Sequence, residues 1–592
     1  MIFSRKISSS FWPGRFWSDL LILVLVCGIF FFWQLGNSPL FDLDEPRYAE
    51  AAREMLENGN WITPYFNYEL RFDKPIFFYW LIALSYQWFG VTEFAARFFS
   101  AVAASITVFA LYGFGRFWLG RSYGLLAAVM LSCTALFIGL SRMSVTDMTL
   151  TCWMTLTSLS LFLAARVNLK WWLAAGFFSG LAVLTKGPVG IVLPGAILLI
   201  YSVFARCFVH CFFNRWFLFG LLLCGGLSLP WYVAAYLQNG PIFLDALFKH
   251  NVTRFSGIVS GHKQPAYFYY VVLLVGALPW TVYLPALIYR LSELFRNKHL
   301  RNTQNMDRHA EKTRQLMLYA LVWAIFTFVF FNVSATKLLT YILPMLPPVA
   351  LLFAETINWL DKIGLDKNKN LDKKLDKNKK RMQPKTHPAW RWTSLGLGVF
   401  FLASCIGAWL LITNMALLLP REAAGIEATN SNTVVAVVFI LGLLPALFFC
   451  SQKKAVALAA SQIGMLAVVI LIATTTVLPV IGQATQGTML HYLSLAQGKD
   501  LILYEIQRPS LTFYGQRKIH RFSKSSHDTL QQYVTETVKP PATPVYIITK
   551  TKYVSTLSKQ LPKIISMKTV EQNQPYRLLL MQPNVDKTMN TP

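Results

Sequence analysis

A chain of 592 residues that is 55% hydrophobic and 15% aromatic but only 14% charged, with a mean hydropathy of +0.44, lacks the polar surface that a set of soluble domains needs. Its net charge of +27 would point a soluble chain towards nucleic acid. Across a bilayer, however, Lys and Arg mark cytoplasmic loops, so the composition indicates an α-helical polytopic membrane protein with no nucleic-acid partner.

A helical span needs about 20 mostly apolar residues. The first such run, LLILVLVCGIFFFWQLG, follows Arg5, Lys6 and Arg15 and has no small-residue cleavage site behind it, so it reads as a retained span at about 19–36. With the N-terminus cytoplasmic, residues 37–94 lie outside. PIFFYWLIALSYQWFG (75–90) is short and opens on Pro75, which predicts a helix lying in the interface rather than a crossing. Twelve more spans follow at about 95–117, 122–141, 147–166, 171–185, 188–206, 216–236, 267–290, 315–333, 338–360, 391–415, 432–450 and 455–479, thirteen in all. This count gives every inside loop a basic character: Arg116 and Arg121, Arg166 and Lys170, Arg206 and Arg215, the stretch 290–314, the lysine tract near 370, and Lys453 with Lys454.

The tract LDKNKNLDKKLDKNKK (365–380) has no apolar face and is expected to be an irregular cytoplasmic linker within 361–390. The chain thus divides into a membrane domain, 1–480, and an extracytoplasmic α/β domain, 481–592. In the tail, DLILYE, LTFYG, PVYIITK and RLLLMQP read as strands, with helices near 527–538 and 553–560. The tail carries 14 Lys/Arg against 6 Asp/Glu, which suits contact with anionic headgroups or an anionic acceptor; a passive cap is an equally good reading. All eight cysteines lie in or beside apolar runs, so no disulfide framework is implied, and CFVHC (207–211) has no fourth ligand nearby.

The candidate chemistry lies on the outer side. FDLDEPRYAEAARE (41–54) puts five carboxylates in fourteen positions just after the first span. Asp44 and Glu45 precede a helix that Asn58-Gly59 should stop; N-capping is their bland role, but capping needs only one of them. Glu50, Glu54 and Glu57 read as a solvated face paired with Arg47 and Arg53. Arg71, Asp73 and Lys74 close the same loop, with Lys74 at the level of a lipid phosphate unless it merely snorkels to headgroups. Asp147 lies at a span end, Lys186 in a short turn, and Lys337 and Tyr341 open the tenth span against the positive-inside trend. Loop 237–266 adds Asp245, His250, Asn251, Arg254 and His262; His250 and Arg254 share a helix face, blandly a solvated one. A transporter or lipid flippase would instead show broken helices and mid-span charge, and the spans here look clean at mid-depth.

These residues, D-E-x-R-Y after the first span, an acidic residue with Lys-Pro closing the first loop, an Asp in the second outer loop, TKGP, and K-x-x-x-Y-I-L-P-x-x-P-P, resemble the bacterial aminoarabinose lipid A transferases and, more distantly, protein O-mannosyltransferases, all GT-C glycosyltransferases. The resemblance implies an inverting transfer from a polyprenyl (undecaprenyl) phosphate sugar to lipid A, another glycolipid or a protein. It takes place on the outer face of the bacterial inner membrane, with the N-terminus cytoplasmic and the tail periplasmic. It implies Asp44 as general base, with Glu45 and Asp147 in the catalytic set, and Lys74, Arg47 and Arg254 on the donor phosphate. Tyr48, Asp73, Lys186, His250, Lys337 and Tyr341 would line the substrate pocket. The resemblance allows a divalent metal without requiring one: Asp73 stands where Glu is usual, Lys249-His250-Asn251 replaces a His-rich pattern, and a phosphate leaving group does not oblige a metal. One chain can hold the whole site, so a monomer among membrane lipids is expected.

Overall fold

The computed structural model describes residues 15–249, 264–296, 308–375, 387–413, 431–537, 545–562 and 565–583. Each of the thirteen expected spans falls on helix among them. Among the described residues seven helices are long and apolar enough to cross a membrane, or nine if each of two bent pairs is one span, with three shorter apolar helices at Phe16–Phe32, Val189–Phe204 and Ile440–Ser451. The remaining expected span is the 16-residue helix Trp171–Lys186. Helix Phe77–Phe89, with 13 residues, falls short of a crossing.

The bent pairs correct the expectation of uninterrupted spans. Arg121–Ser132 meets Ala135–Ser141 at 65°, and Phe268–Gly276 meets Trp280–Arg296 at 102°. The second break falls at Leu278-Pro279, where the proline supplies no N–H; the first has no proline. The two breaks satisfy each other: the Ala135 N–H donates to the Leu278 carbonyl at 3.1 Å, and the Trp280 indole N–H donates to the Met130 carbonyl at 2.7 Å. This mutual packing answers the unpaired-backbone problem from within the protein.

The first span ends on carbonyls that arginines satisfy. Arg142 donates through Nη2 to the Trp33 carbonyl at 2.7 Å and the Gln34 carbonyl at 3.2 Å, and through Nη1 to those of Phe30 and Phe31; Arg97 Nη1 donates to the Leu35 carbonyl at 3.1 Å. Cations are favourable at a helix C-terminus, which accounts for the two arginines gathered here. At the other end Asp19, fully buried, accepts from Tyr112 at 2.8 Å and from Arg116 and Arg121.

The chain folds as two compact units. The helical one comprises residues 1–37 and 72–477, and the other joins residues 38–71 to 478–592. In the second unit, β1 (Tyr65–Phe66) and β2 (Glu69–Leu70) form a small hairpin. The tail contributes β3 (Leu501–Tyr504), β4 (His520–Phe522), β5 (Val545–Lys550), β6 (Ile565–Asn573) and β7 (Tyr576–Pro583), in the sheet order β4-β3-β5-β7-β6. β4, β3 and β5 run parallel, and β7 is antiparallel to both β5 and β6. β3 is buried throughout, as a central strand covered on both faces should be.

One expectation in the tail and one in the linker change, and two strands of the tail were not foreseen. LTFYG lies in the helix Pro509–Gly515, not a strand: Pro509 presets φ for a first helical position, and Gln516 at φ 47° ends the turn. β4 and β6 escaped the sequence reading because their burial is mixed, leaving no alternation to see. Residues 365–375, expected as irregular linker, continue the helix Leu346–Leu375, consistent with the helix propensity of Leu and Lys; residues 376–386 lie outside the described residues.

Helices Trp171–Lys186 and Arg215–Asn239 approach through glycines: a Cβ on Gly176 would overlap the Gly220 carbonyl, and one on Gly220 would sit 2.5 Å from the Trp172 carbonyl oxygen. Gly176→Ala is therefore expected to lower the thermal unfolding midpoint of detergent-solubilised protein, at a cost of about 1–3 kcal/mol. An unchanged midpoint would mean that the two helices can part without loss.

Candidate active site

Helix Glu45–Asn58 carries the acidic stretch, and Gly59 at φ 65° closes it as the sequence indicated. Asp44 occupies the N-cap position but makes no side-chain capping hydrogen bond. Its side chain is 65% exposed and lies 3.9 Å from Arg47 Nη1, whose other nitrogen donates to Gln507 Oε1 at 3.4 Å. An exposed carboxylate not used for capping is open to a substrate proton. Glu45 is fully buried, and its Oε2 accepts the Phe41 N–H at 2.9 Å, which closes the turn ahead of the helix. Tyr48 is buried, with the Arg71 guanidinium 5.7 Å from its ring centre.

The reading of Glu50, Glu54 and Glu57 as a solvated face holds only for Glu57. Glu50 and Glu54 are fully buried. Arg53 donates to both Glu50 oxygens and to Glu57, each at 2.8 Å. Glu54 accepts the N–H groups of Asn67 at 2.6 Å and Tyr68 at 2.9 Å, which holds the β1–β2 hairpin against the helix. Arg47 pairs with Asp44 instead of Glu50. Burial, with the Glu50 charge nearby, pushes the Glu54 carboxyl up to about 7 despite those two N–H donors; burial also raises Glu50, and Arg53 opposes it. The folded chain thus holds a proton here more tightly than an unfolded one. The stabilisation is complete below the ordinary glutamate range and is lost as pH rises through about 7. The thermal midpoint is expected to fall across that window in the wild type, and the fall should flatten in Glu50→Gln; identical slopes in the two proteins would contradict the assignment.

In the helical unit, the extended backbone of Val145 starts helix Thr146–Arg166, placing Asp147 in a first turn where the helix dipole favours an anion. Lys186 is the last residue of helix Trp171–Lys186, ahead of Gly187 at φ 84°. It does more than form a turn. Its Nζ donates to Asp147 Oδ1 at 2.6 Å and sits 4.5 Å from the ring centre of Tyr341, which lies on the 3₁₀ segment Leu339–Met345. The structure therefore gathers Asp147, Lys186 and Tyr341 into one cluster. Lys337 is buried and donates to the Ser334 carbonyl at 3.0 Å. Lys74, half-buried, donates to the Asp73 carbonyl at 2.9 Å. Asp245 is exposed, and His250, Asn251, Arg254 and His262 lie outside the described residues.

The sequence reading missed Asp42, Arg508 and Ser510. Asp42 Oδ1 accepts the Ser510 N–H at 2.9 Å, and its Oδ2 accepts the Ser510 hydroxyl at 2.7 Å and Arg508 Nη1 at 3.3 Å. No local pattern announces a partner more than 460 positions away. Among the described residues no three His, Cys, Asp or Glu side chains gather to hold a metal ion, so the residues described do not fit a metal site.

Residues 73–233 match the family described as dolichyl-phosphate-mannose-protein mannosyltransferase. The chain is 31% identical over 348 residues to the undecaprenyl phosphate-alpha-4-amino-4-deoxy-L-arabinose arabinosyl transferase 1 of Pseudomonas fluorescens, spanning 57% of this chain and 58% of that relative. It is 33% identical over 331 residues to the corresponding transferase of Shewanella sediminis, spanning 55% and 57%. The matches thus extend over less than two thirds of each of these relatives. The crystal structure of ArnT from Cupriavidus metallidurans bound to undecaprenyl phosphate superposes with a TM-score of 0.73 at 20% identity, covering 96% of this chain and 98% of that one. The chain thus shares its fold with this ArnT structure over nearly its whole length.

Proposed function

We propose that this protein is an inverting glycosyltransferase of the bacterial inner membrane, moving a sugar from a polyprenyl phosphate to lipid A or another glycolipid on the outer face, with the N-terminus cytoplasmic and the tail periplasmic. The observation that carries the reading is Asp44, a mostly exposed carboxylate at a helix start that does not use it as a cap. The names of the relatives and the undecaprenyl phosphate bound by ArnT support the donor class.

In the reaction, Asp44 takes the proton of the acceptor hydroxyl while that oxygen attacks the anomeric carbon. The bond from that carbon to the phosphate oxygen breaks on the opposite side, which inverts the centre and releases polyprenyl phosphate. Negative charge grows on the departing phosphate, and Lys74 and Arg254 are assigned to stabilise it. The Asp147–Lys186 pair organises the pocket with Tyr341 at its wall. A protein acceptor is the second reading, favoured by the mannosyltransferase match over residues 73–233.

Membranes containing the protein, offered radiolabelled polyprenyl-phosphate sugars, are expected to place label in glycolipid; label in protein would favour the second reading. Asp44→Asn should cut transfer by about a hundredfold or more at normal abundance, and a fully active variant would remove Asp44 from the mechanism. Lys74→Ala is expected to raise the KM for the donor. If only the acceptor's KM moved, the phosphate role would be wrong.

A further inference from the structure

Two aspartates two residues apart sit in opposite surroundings. Asp44 is exposed, whereas the Asp42 side chain is only 5% exposed and takes three hydrogen bonds from residues 508 and 510 of the tail. We infer that Arg508 and Ser510, acting through Asp42, are positioning residues for the transfer reaction: the tail mounts the segment that carries the catalytic base. This inference rests on the proposed role of Asp44.

The mount is anchored on both sides. Arg508 Nη2 donates to the Tyr576 hydroxyl at 2.7 Å, which ties the clamp to β7 at the edge of the tail's parallel core. Pro509 has no N–H, so the N–H of Ser510 is an early free donor of helix Pro509–Gly515, and Asp42 satisfies it from outside that helix. Two residues upstream, the Leu40 N–H donates to the Tyr514 hydroxyl at 3.0 Å and the Leu40 carbonyl accepts from Gln486 Nε2 at 3.1 Å. Beyond the helix, Asn67 exchanges two hydrogen bonds with the backbone of Ile519, at 2.8 and 2.9 Å. Asp44 therefore stands between fixed points at Leu40, Asp42 and Asn67, all held by the tail. A base fixed at its neighbours while its own carboxylate stays exposed is pre-organised for proton transfer. The role also decides between the two readings of the tail: it is a working part of the enzyme and not a passive cover.

The test compares steady-state transfer by the full-length enzyme, normalised to folded protein, in Arg508→Ala, Arg508→Lys, Ser510→Ala and Asp44→Asn. Arg508→Ala is expected to lower kcat by up to about a hundredfold, the scale of a small misplacement, with the donor KM little changed. Arg508→Lys keeps a cation for Asp42 and should recover most of that loss. Ser510→Ala, a milder change that protects against loss of the whole fold, should give an intermediate fall in kcat at normal abundance. A purely structural clamp would lower the amount of folded protein and leave kcat per folded enzyme intact; that result, or a rise in KM with kcat preserved, would overturn the inference. If Asp44→Asn is inactive while Arg508→Ala and Ser510→Ala turn over normally, only the positioning role fails. If Asp44→Asn is itself active, the proposed role of Asp44 fails with it.

Discussion

Lipid offers no partner for a bare N–H or C=O, and much of this architecture follows from that constraint. It makes the spans helical, and it dictates how they end and where they bend. The carbonyls at the end of the first span are gathered by Arg142 and Arg97. The two interrupted spans meet at their breaks, the Ala135 N–H finding the Leu278 carbonyl, so each defect is repaired by the other. A lone break would have to be repaired by water or a bound ion, as in a transporter. Here the protein supplies the partner.

A second principle sorts the carboxylates. Within fourteen residues, one acid closes a turn (Glu45), one pairs with an arginine (Glu50), one holds a hairpin (Glu54), one is gripped by the tail (Asp42), and one is left facing outward (Asp44). Four are satisfied by donors that would otherwise be orphaned in a buried setting, and the fifth is distinguished by the absence of such a task. The cluster is dense because the loop needs acceptors, and the acid proposed as the base is the one left most exposed.

The sequence made the helical spans legible because each is a long apolar run whose signal does not depend on its neighbours. It made the catalytic candidate legible because Asp44-Glu45 duplicates a function that one residue can perform. Burial of Glu50 and Glu54 was hidden: the i,i+3 and i,i+4 pairs that Arg53 makes with Glu50 and Glu57 look the same on a solvated face, and Glu54 shows its difference only through the Asn67–Tyr68 backbone. Pro509 was the available clue to the helix that LTFYG belongs to, but a buried apolar pentamer reads equally well as a strand. The break at 133–134 has no proline or glycine to announce it. The partnership of residues 38–71 with 478–592 is a long-range pairing that no local pattern encodes.

That partnership sets an order of events during synthesis. Residues 38–71 are made early, yet the strands and helices that complete their compact unit begin only at residue 478. At about 5–20 residues per second, the first loop waits on the order of tens of seconds for the tail. Through that interval Asp42 lacks its arginine and Asn67 lacks its backbone partner, while the intervening spans enter the membrane. The nascent chain therefore carries an acidic, half-finished segment across the synthesis of more than four hundred residues, and that segment gains its partner Ile519 only after all of the helical unit has been made.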